Sequence, residues 1–359
     1  MRDIAFAEWR LGLASVDGKS AGAYHVGQAM CPQKNRMTDD LVSTIIPVHD
    51  RPQLLREAVG SVVGQSYRPI EIIIVDDGST DETARVADAL AADAPGEIRV
   101  IHQRNAGASL AREAGRRLAR GEFIQYLDSD DLLLAEKFAW QVAGLRADPH
   151  CGVAYGYTRY RHADGHVEPH PWKGSGARVE TMFPSFLRLR WWDTPTPLYR
   201  ASLCEAAGPW SDLKLEEDWE YDCRIAALGV KLHFCEDYVA EVRDHEQGRL
   251  CRGDALDPAR LAQRARSHHR IYEHAKRAGI GTSIPEMQHF SRELFLLARQ
   301  CGAAGLSVES RELFQLAKDA SGVERARGLD FTLYGLAASV LGWPLVGRLA
   351  CATDMFRRS

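Results

Sequence analysis

Between residues 41 and 127, short apolar runs rich in β-branched residues alternate with segments of helical periodicity. Apolar runs that end in polar residues are typical of strands buried on both faces of a sheet. The intervening segments place leucine, alanine and valine at helical spacing, which gives a repeated β-α-β pattern. The sequence therefore predicts a mostly parallel α/β sheet with helices on both faces. Strands are expected at 41–48, 71–75, 98–102 and 123–127, and helices at 52–65, 80–92 and 109–119.

Three acidic clusters accompany this pattern. Asp76 and Asp77 follow the second predicted strand, and the sequence DSDD at 128–131 follows the fourth. The third cluster, EED at 216–218, opens a predicted helix. Because ligands bind at the carboxyl ends of parallel strands, the polar residues that follow these strands should line one crevice.

The pair Asp128 and Asp130 suits a divalent cation. Residues two apart in an extended segment face the same side, so both carboxylates can reach one point. Unpaired carboxylates that lie close together repel one another, and a bound cation relieves that repulsion. Mg²⁺ and Mn²⁺ fit best, because such ions keep several waters and accept one or two protein carboxylates plus substrate phosphates.

The composition of the whole chain excludes several classes of function. The 359 residues carry a formal net charge of −4 and no concentrated basic stretch, so no nucleic-acid partner is expected. Eight cysteines without a CxxC pair argue against a zinc cage or a disulfide framework and fit a reducing cytoplasm. The first predicted strand has no GxGxxG after it, which excludes a dinucleotide-dependent oxidoreductase of that type.

The two ends of the chain differ from the middle. Residues 1–36 show no clear periodicity and no signal peptide, and they are predicted to be an irregular leader, with Met37 as the native start. A main domain is expected at 37–250 and a helical region at 256–359. Within the latter, SRELFLLARQ recurs as SRELFQLAKD. The repeat indicates either a small bundle of two amphipathic helices or a tetratricopeptide-like pair that binds a protein partner.

The segment 331–352 is apolar but contains Gly335, Gly342 and Pro344. It is too interrupted for a transmembrane helix, which needs about 20 apolar residues. Arginines in and around it leave two interpretations open. The segment either closes the helical bundle or lies in a membrane interface, in which case the chain would associate peripherally with the inner face of a membrane.

Three stretches of the sequence carry a resemblance to a known family: VSTIIPVHDRPQLLREAVGSVVGQSYRPIEIIIVDDGSTDET, RNAGASLAREAGRRLARGEFIQYLDSDD and EEDWEYDCR. Together they resemble the family 2 glycosyltransferases. The resemblance implies a GT-A fold, Mn²⁺ or Mg²⁺ as cofactor, and inverting transfer of a sugar from a nucleotide diphosphate donor, expected to be a UDP-sugar. The acceptor would be a hydroxyl of a saccharide or lipid-linked molecule, in surface polysaccharide or glycoconjugate synthesis.

The resemblance also implies a donor site. Asp130 would ligate the metal, and Asp128 would hold the ribose or a metal-bound water. Asp76 would recognise the base. The wall of the base pocket would come from the three residues that end the first strand: Pro47, Val48 and His49.

Each of the remaining candidate site residues has an alternative, structural role. Arg112 would contact the nucleotide or form a structural salt bridge. Asp218 would be the general base, with Glu217 beside it at the substrate, although acids at a helix start also act as caps. His245 would lie near the phosphates or the metal, or be structural. The alternative for the whole chain is a catalytically inactive member that binds nucleotide and uses its helical tail for interaction.

Overall fold

The computed structural model describes residues 37–244 and 254–356. The leader at 1–36 and His245 lie outside these ranges, so both remain predictions. An eight-stranded sheet has the order β3-β2-β1-β4-β7-β6-β8-β5. Its strands are β1 Thr38–Val48, β2 Ile70–Asp76, β3 Ile98–His102, β4 Gly121–Tyr126, β5 Leu132–Leu133, β6 Cys151–Arg161, β7 Leu198–Arg200 and β8 Lys231–Arg243.

The N-terminal half of the sheet follows the predicted pattern. The strands β3, β2, β1 and β4 pair in parallel, and their bounds lie close to the predicted ones. Beyond β4 the sheet is mixed, because β7 is antiparallel to both β4 and β6, and β5 is antiparallel to β8. These two strands are only three and two residues long, too short to leave a periodic pattern in the sequence.

Helices cover both faces of the sheet, and alternate residues of each strand face different layers. Ile72 and Ile74 pack in a core with residues of α1, α2 and α4, whereas Ile73 and Val75 pack in a core with α3 and the C-terminal helices. The helices are α1 Pro52–Val63, α2 Thr83–Asp93, α3 Ala108–Leu118, α4 Lys137–Ala147, α5 Ala201–Ala207, α6 Glu217–Ala226, α7 Pro258–Arg277, α8 Pro285–Ala303, α9 Ser307–Ser321, α10 Leu329–Leu341 and α11 Trp343–Phe356.

The two copies of the internal repeat lie in α8 and in the following helix, α9. Ser291 Oγ of α8 donates to the carbonyl oxygen of Ala317 at 2.8 Å, and Ser310 Oγ of α9 donates to that of Ala298 at 2.7 Å. The two serines occupy equivalent repeat positions, as do the two alanines. The repeat therefore encodes a reciprocal contact between two packed helices, and binding of a protein partner there stays a prediction.

The C-terminal helices share one core with the sheet. Residues 37–359 group as one compact unit, and Tyr221 of α6 and Phe290 of α8 belong to the same apolar cluster. Polar contacts add to this packing: His274 Nε2 of α7 lies 2.8 Å from Glu220 Oε1 of α6. The helical region at 256–359 thus supports α6, which carries two of the predicted site residues.

Replacing Glu220 by Gln should lower the free energy of unfolding by about 3 kcal/mol, because it leaves Arg224 without its buried counter-charge and weakens the hydrogen bond to His274. Burial raises the pKa of Glu220, but hydrogen bonds from these two residues bring it down to about 2, so the group is ionised at neutral pH. Urea denaturation at neutral pH measures the change. The control Glu273→Gln removes an exposed contact with Lys276 and should cost less than about 0.5 kcal/mol. Equal losses in the two variants would contradict the account.

The segment 331–352 forms two helices rather than one, because the chain turns at Gly342, where φ is 84°. The inner face of α10 buries Phe331, Tyr334 and Ala338 against the bundle. Among the described helices, none has the length and apolarity needed to cross a bilayer. The outer faces of α10 and α11 remain exposed.

Candidate active site

A cleft of about 980 Å³ opens where β1 and β4 end. Its walls also include the start of α3, the start of α6, and residues 254–264 at the start of α7. This is the edge where a parallel sheet is expected to hold its ligand. Eight of the predicted site residues line the cleft: Pro47, Val48, His49, Arg112, Asp128, Asp130, Glu217 and Asp218.

Arginines neutralise the acidic segment that follows β4. Arg112 Nη2 donates to Asp128 Oδ1 at 2.6 Å, and Arg51 Nη1 donates to Asp130 Oδ2 at 2.7 Å. The side chain of Asp128 is 31% exposed and that of Asp130 is 15% exposed, so both still border the cleft. The two carboxylates predicted to bind a cation therefore each contact a guanidinium.

Asp131 adds a third carboxylate to this cluster. It is buried, and its Oδ1 accepts from the backbone N–H of Arg243 at 3.2 Å. Burial, together with the charges of Asp130, Asp128 and Asp193, raises the pKa of Asp131 well above its ordinary value. Four aspartates, at positions 128, 130, 131 and 193, thus line the same cleft, where a cation would be stabilised.

Arg112 joins the two acidic clusters across the cleft. Its Nη1 donates to Glu217 Oε1 at 2.9 Å while Nη2 holds Asp128, and the guanidinium lies 4.9 Å from the ring centre of Trp210. Burial would lower its pKa, but the charges of Asp128 and Glu217 raise it, so Arg112 stays cationic. The salt-bridge alternative is the one that this structure displays, and a nucleotide contact by Arg112 stays a prediction.

The start of α6 carries two carboxylates whose pKa values are shifted in opposite directions. Burial raises the pKa of Asp218, but the charges of Arg190 and Arg112 outweigh it and hold that pKa below the ordinary value. Burial and the adjacent Asp218 charge instead raise the pKa of Glu217. Arg190 Nη1 contacts Asp218, and its Nε lies 3.2 Å from Asp222 Oδ2. Asp218 is therefore an ionised carboxylate that a partly buried arginine, Arg190, orients.

The side chain of Asp76 lies outside the lining of the cleft. Its side chain shares the sheet face of Ile72 and Ile74, because side chains alternate along a strand, and it is not among the residues that line the cleft. One oxygen accepts from the backbone N–H of Ser79 at 3.1 Å, and the other lies 2.9 Å from His102 Nδ1. These contacts occupy both carboxylate oxygens of Asp76, and recognition of a base by Asp76 stays a prediction.

Asp77, one residue further along, does line the cleft. Its carboxylate accepts from the backbone N–H groups of Ala106 at 2.9 Å and Gly107 at 2.7 Å, and from Gln103 Nε2 at 2.7 Å. It thereby fixes the loop that leads into α3. Both aspartates are visible in the sequence, but only the structure shows that Asp77, and not Asp76, lines the cleft.

The end of β1 borders the cleft as predicted. Pro47 and Val48 are buried, whereas the side chain of His49 is 41% exposed. Asn105 Nδ2 lies 3.3 Å from His49 Nε2, so the loop before α3 and the end of β1 meet at this wall. An exposed imidazole beside an apolar floor gives a surface on which a planar base could stack.

The carboxylate oxygens in the cleft fit a hard cation that takes its remaining ligands from a bound substrate. Within 37–244 and 254–356, no three His, Cys, Asp or Glu side chains are grouped to hold one ion. Asp128 and Asp130 supply carboxylate oxygens, the ligand type that Mg²⁺ and Mn²⁺ prefer, and a donor diphosphate would supply the rest. The guanidinium groups on both carboxylates show that this position already attracts positive charge.

Sequence analysis did not identify several residues that line the cleft. Arg51 contacts Asp130, Arg190 contacts Asp218, and Lys173 pairs with Asp193. Arg260 and Arg264 of α7 also line the cleft, although α7 belongs to the helical region. Arg51 lies three residues after the end of β1 and could have been found by its position. The others lie in irregular or distant segments that carry no spacing signal.

The sequence model of the family described as Glycosyl transferase family 2 matches residues 43–203. This range begins in β1 and includes the acidic segment after β4. Residues 43–203 form a family 2 glycosyltransferase domain. Glycosyltransferase GlyG of Streptococcus pneumoniae is 38% identical over 122 residues, which are 33% of this chain and 40% of that protein. The uncharacterized glycosyltransferase YibD of Escherichia coli is 39% identical over 90 residues, 25% of this chain and 26% of YibD. The chain thus spans well under half the length of these relatives.

Solved structures extend the comparison beyond the glycosyltransferase domain. S. aureus TarS 1-349, in complex with UDP-GlcNAc, has a TM-score of 0.66 and 18% identity, covering 88% of this chain and 91% of TarS 1-349. The mannosyltransferase PcManGT from Pyrobaculum calidifontis, in complex with GDP-Man and Mn²⁺, has a TM-score of 0.50 and 20% identity, covering 87% of this chain and 86% of PcManGT. The predicted GT-A fold with C-terminal helices is confirmed.

Proposed function

We propose that the chain transfers a sugar from a nucleoside diphosphate donor, UDP-linked, to an acceptor hydroxyl, with inversion at the anomeric carbon. One observation carries this proposal: the acidic pair Asp128 and Asp130 and the acidic pair Glu217 and Asp218 border the same cleft, and buried Arg112 connects them. The first pair suits a diphosphate with its cation, and the second offers a base. The UDP-GlcNAc complex of TarS supports the choice of uracil.

Asp130, with Asp128 beside it, would hold Mn²⁺ or Mg²⁺, and the Mn²⁺ in the PcManGT complex supports a divalent cation. When bound, the ion offsets the charge that develops on the departing nucleoside diphosphate. Arg51 contacts Asp130, so its guanidinium lies where the diphosphate end of the donor would bind beside the cation. His245 remains a candidate for the same region.

Asp218 would accept the proton of the acceptor hydroxyl. Its lowered pKa makes it a modest base, which is sufficient when the proton moves late, as the new glycosidic bond forms. Arg190 keeps the carboxylate ionised and fixes its direction. The acceptor would be a saccharide or a lipid-linked molecule, and surface polysaccharide or glycoconjugate synthesis is the proposed context. Five buried cysteines, at positions 151, 204, 223, 235 and 301, are free thiols, which supports a cytoplasmic location.

The base contact moves from Asp76 to Asp77 in this proposal, because Asp77 is the carboxylate that borders the cleft. Replacing Asp77 by Asn should raise the donor KM about tenfold or more with a smaller effect on kcat, since a base contact is equally strong in ground and transition states. Initial-rate kinetics over a range of donor concentrations measure it. The matched variant Asp76→Asn should leave KM unchanged. A raised KM in Asp76→Asn alone would return the contact to Asp76.

A donor-hydrolysis and transfer assay tests the proposed function. The purified chain is incubated with UDP-sugars, with and without Mn²⁺, and released UDP is measured. We expect metal-dependent release of UDP from at least one donor. A catalytically inactive scaffold would bind nucleotide but release none under any condition, and that result would favour the alternative function.

A further inference from the structure

The outer faces of α10 and α11 carry a row of exposed aliphatic side chains, here called the outer ridge. Four members recur at helical spacing along α10, and two lie one turn apart on α11. Their exposed fractions range from 45% to 77%. A contiguous apolar row of this kind marks an interaction surface more often than scattered exposed leucines do. The outer ridge comprises Leu329, Leu333, Leu336, Val340, Leu345 and Leu349.

The outer ridge is not needed to pack the bundle. The opposite face of α10 already fills that role, because Phe331 stacks on Phe295 with ring centres 4.8 Å apart, and Tyr334 meets the same ring at 5.1 Å. Phe331 and Tyr334 are both buried. The helices are therefore apolar on two sides, and only the inner side has a partner within the described chain.

Positive charge flanks the outer ridge. Arg325 and Arg327 precede α10, Arg348 is exposed on α11, and two more arginines follow α11 in the sequence. From residue 323 to the end, the chain carries five arginines against three acidic residues, an excess of two positive charges in a chain whose net charge is −4. Asp330, the acidic residue closest to the start of the ridge, is paired with Arg325 at 2.7 Å.

We propose that the outer ridge inserts into the interface of an anionic lipid bilayer, so that α10 and α11 lie on the membrane. Aliphatic side chains flanked by arginines match the boundary between acyl chains and anionic headgroups. A protein partner is less well matched, because the centres of protein interfaces are enriched in Tyr, Trp, Phe and Met, and the outer ridge has only Leu and Val.

Vesicle co-sedimentation tests this proposal. The whole chain should pellet with vesicles of phosphatidylcholine and phosphatidylglycerol. A smaller fraction of the chain should pellet with vesicles of phosphatidylcholine alone, and a smaller fraction should pellet with the anionic vesicles at high salt. The double variant Leu333→Glu/Leu336→Glu should bind the anionic vesicles about tenfold or more weakly. Its melting temperature should be unchanged because both side chains are 61% exposed.

The matched control is the double variant Leu228→Glu/Val308→Glu, which adds the same charge at exposed positions outside the ridge, 47% and 65% exposed. It should pellet like the unmodified chain. The proposal is overturned if the unmodified chain stays in the supernatant with anionic vesicles, or if both double variants bind equally. A concentration-dependent dimer that only the ridge variant dissociates would identify a second copy as the occupant and overturn it as well. None of these readings depends on sugar transfer.

Discussion

Replacing Asp218 by Asn should reduce sugar transfer by about 10² to 10⁴-fold, the usual contribution of a positioned general base. Asn keeps the size of the side chain and much of its hydrogen bonding, but it cannot accept the proton. Nucleotide affinity should hardly change, because Asp218 is held by Arg190 and is not one of the two carboxylates, Glu217 and Asp128, that Arg112 bridges. The loss should therefore appear in kcat, measured with saturating donor.

The matched control is Glu217→Gln, which changes the neighbouring carboxylate in the same way. Glu217 accepts from Arg112, so this variant weakens the bridge without removing the proposed base. The two variants should differ by more than about tenfold in kcat. If Glu217→Gln is the more damaging, the base lies one residue earlier in α6 than proposed.

Replacing Asp130 by Ala should abolish metal-dependent transfer and leave the fold intact, because the side chain borders the cleft and packs in no apolar core. A second measurement does not require turnover. Mn²⁺ should raise the melting temperature of the unmodified chain in the presence of UDP, through mass action, and should not raise that of the variant.

Asp193→Asn is the matched control for Asp130, since Asp193 is also a cleft carboxylate but pairs with Lys173 and is not a proposed ligand. It should keep most of the Mn²⁺-dependent thermal shift. Wild-type activity of Asp130→Ala at every Mn²⁺ concentration would show that the metal assignment is wrong.

Much of the N-terminal half could be predicted because its signals are local. Strands buried on both faces appear as apolar runs, and the acidic residues that follow β4 appear directly after such a run. The parallel order of the strands predicted that Asp128 lies in the cleft, whereas only the family resemblance implied that Asp218, at the start of a helix, joins it there. The antiparallel strands were not predictable from periodicity because their pairing depends on distant residues.

Two features of the site depended on geometry that a sequence does not display. Asp76 and Asp77 are adjacent and chemically identical, but Asp76 is the last residue of β2 and lies outside the cleft lining, whereas Asp77, just after the strand, lines the cleft. Arg190 reaches Asp218 from a segment without regular structure, 28 residues earlier in the chain. The contribution of α7 to the cleft wall was also unexpected, because helical periodicity predicts a buried face but not what that face contacts.

A thermal-shift panel of UDP, GDP, CDP and ADP, each with and without Mn²⁺, tests the central claim that this cleft binds a nucleoside diphosphate together with a divalent cation. UDP with Mn²⁺ should stabilise the chain most, by about 2.7 kcal/mol when the ligand is present at about 100 times its Kd. The shift should shrink when Mn²⁺ is removed and in Asp77→Asn. No shift with any of the four nucleotides, with or without Mn²⁺, would contradict the account.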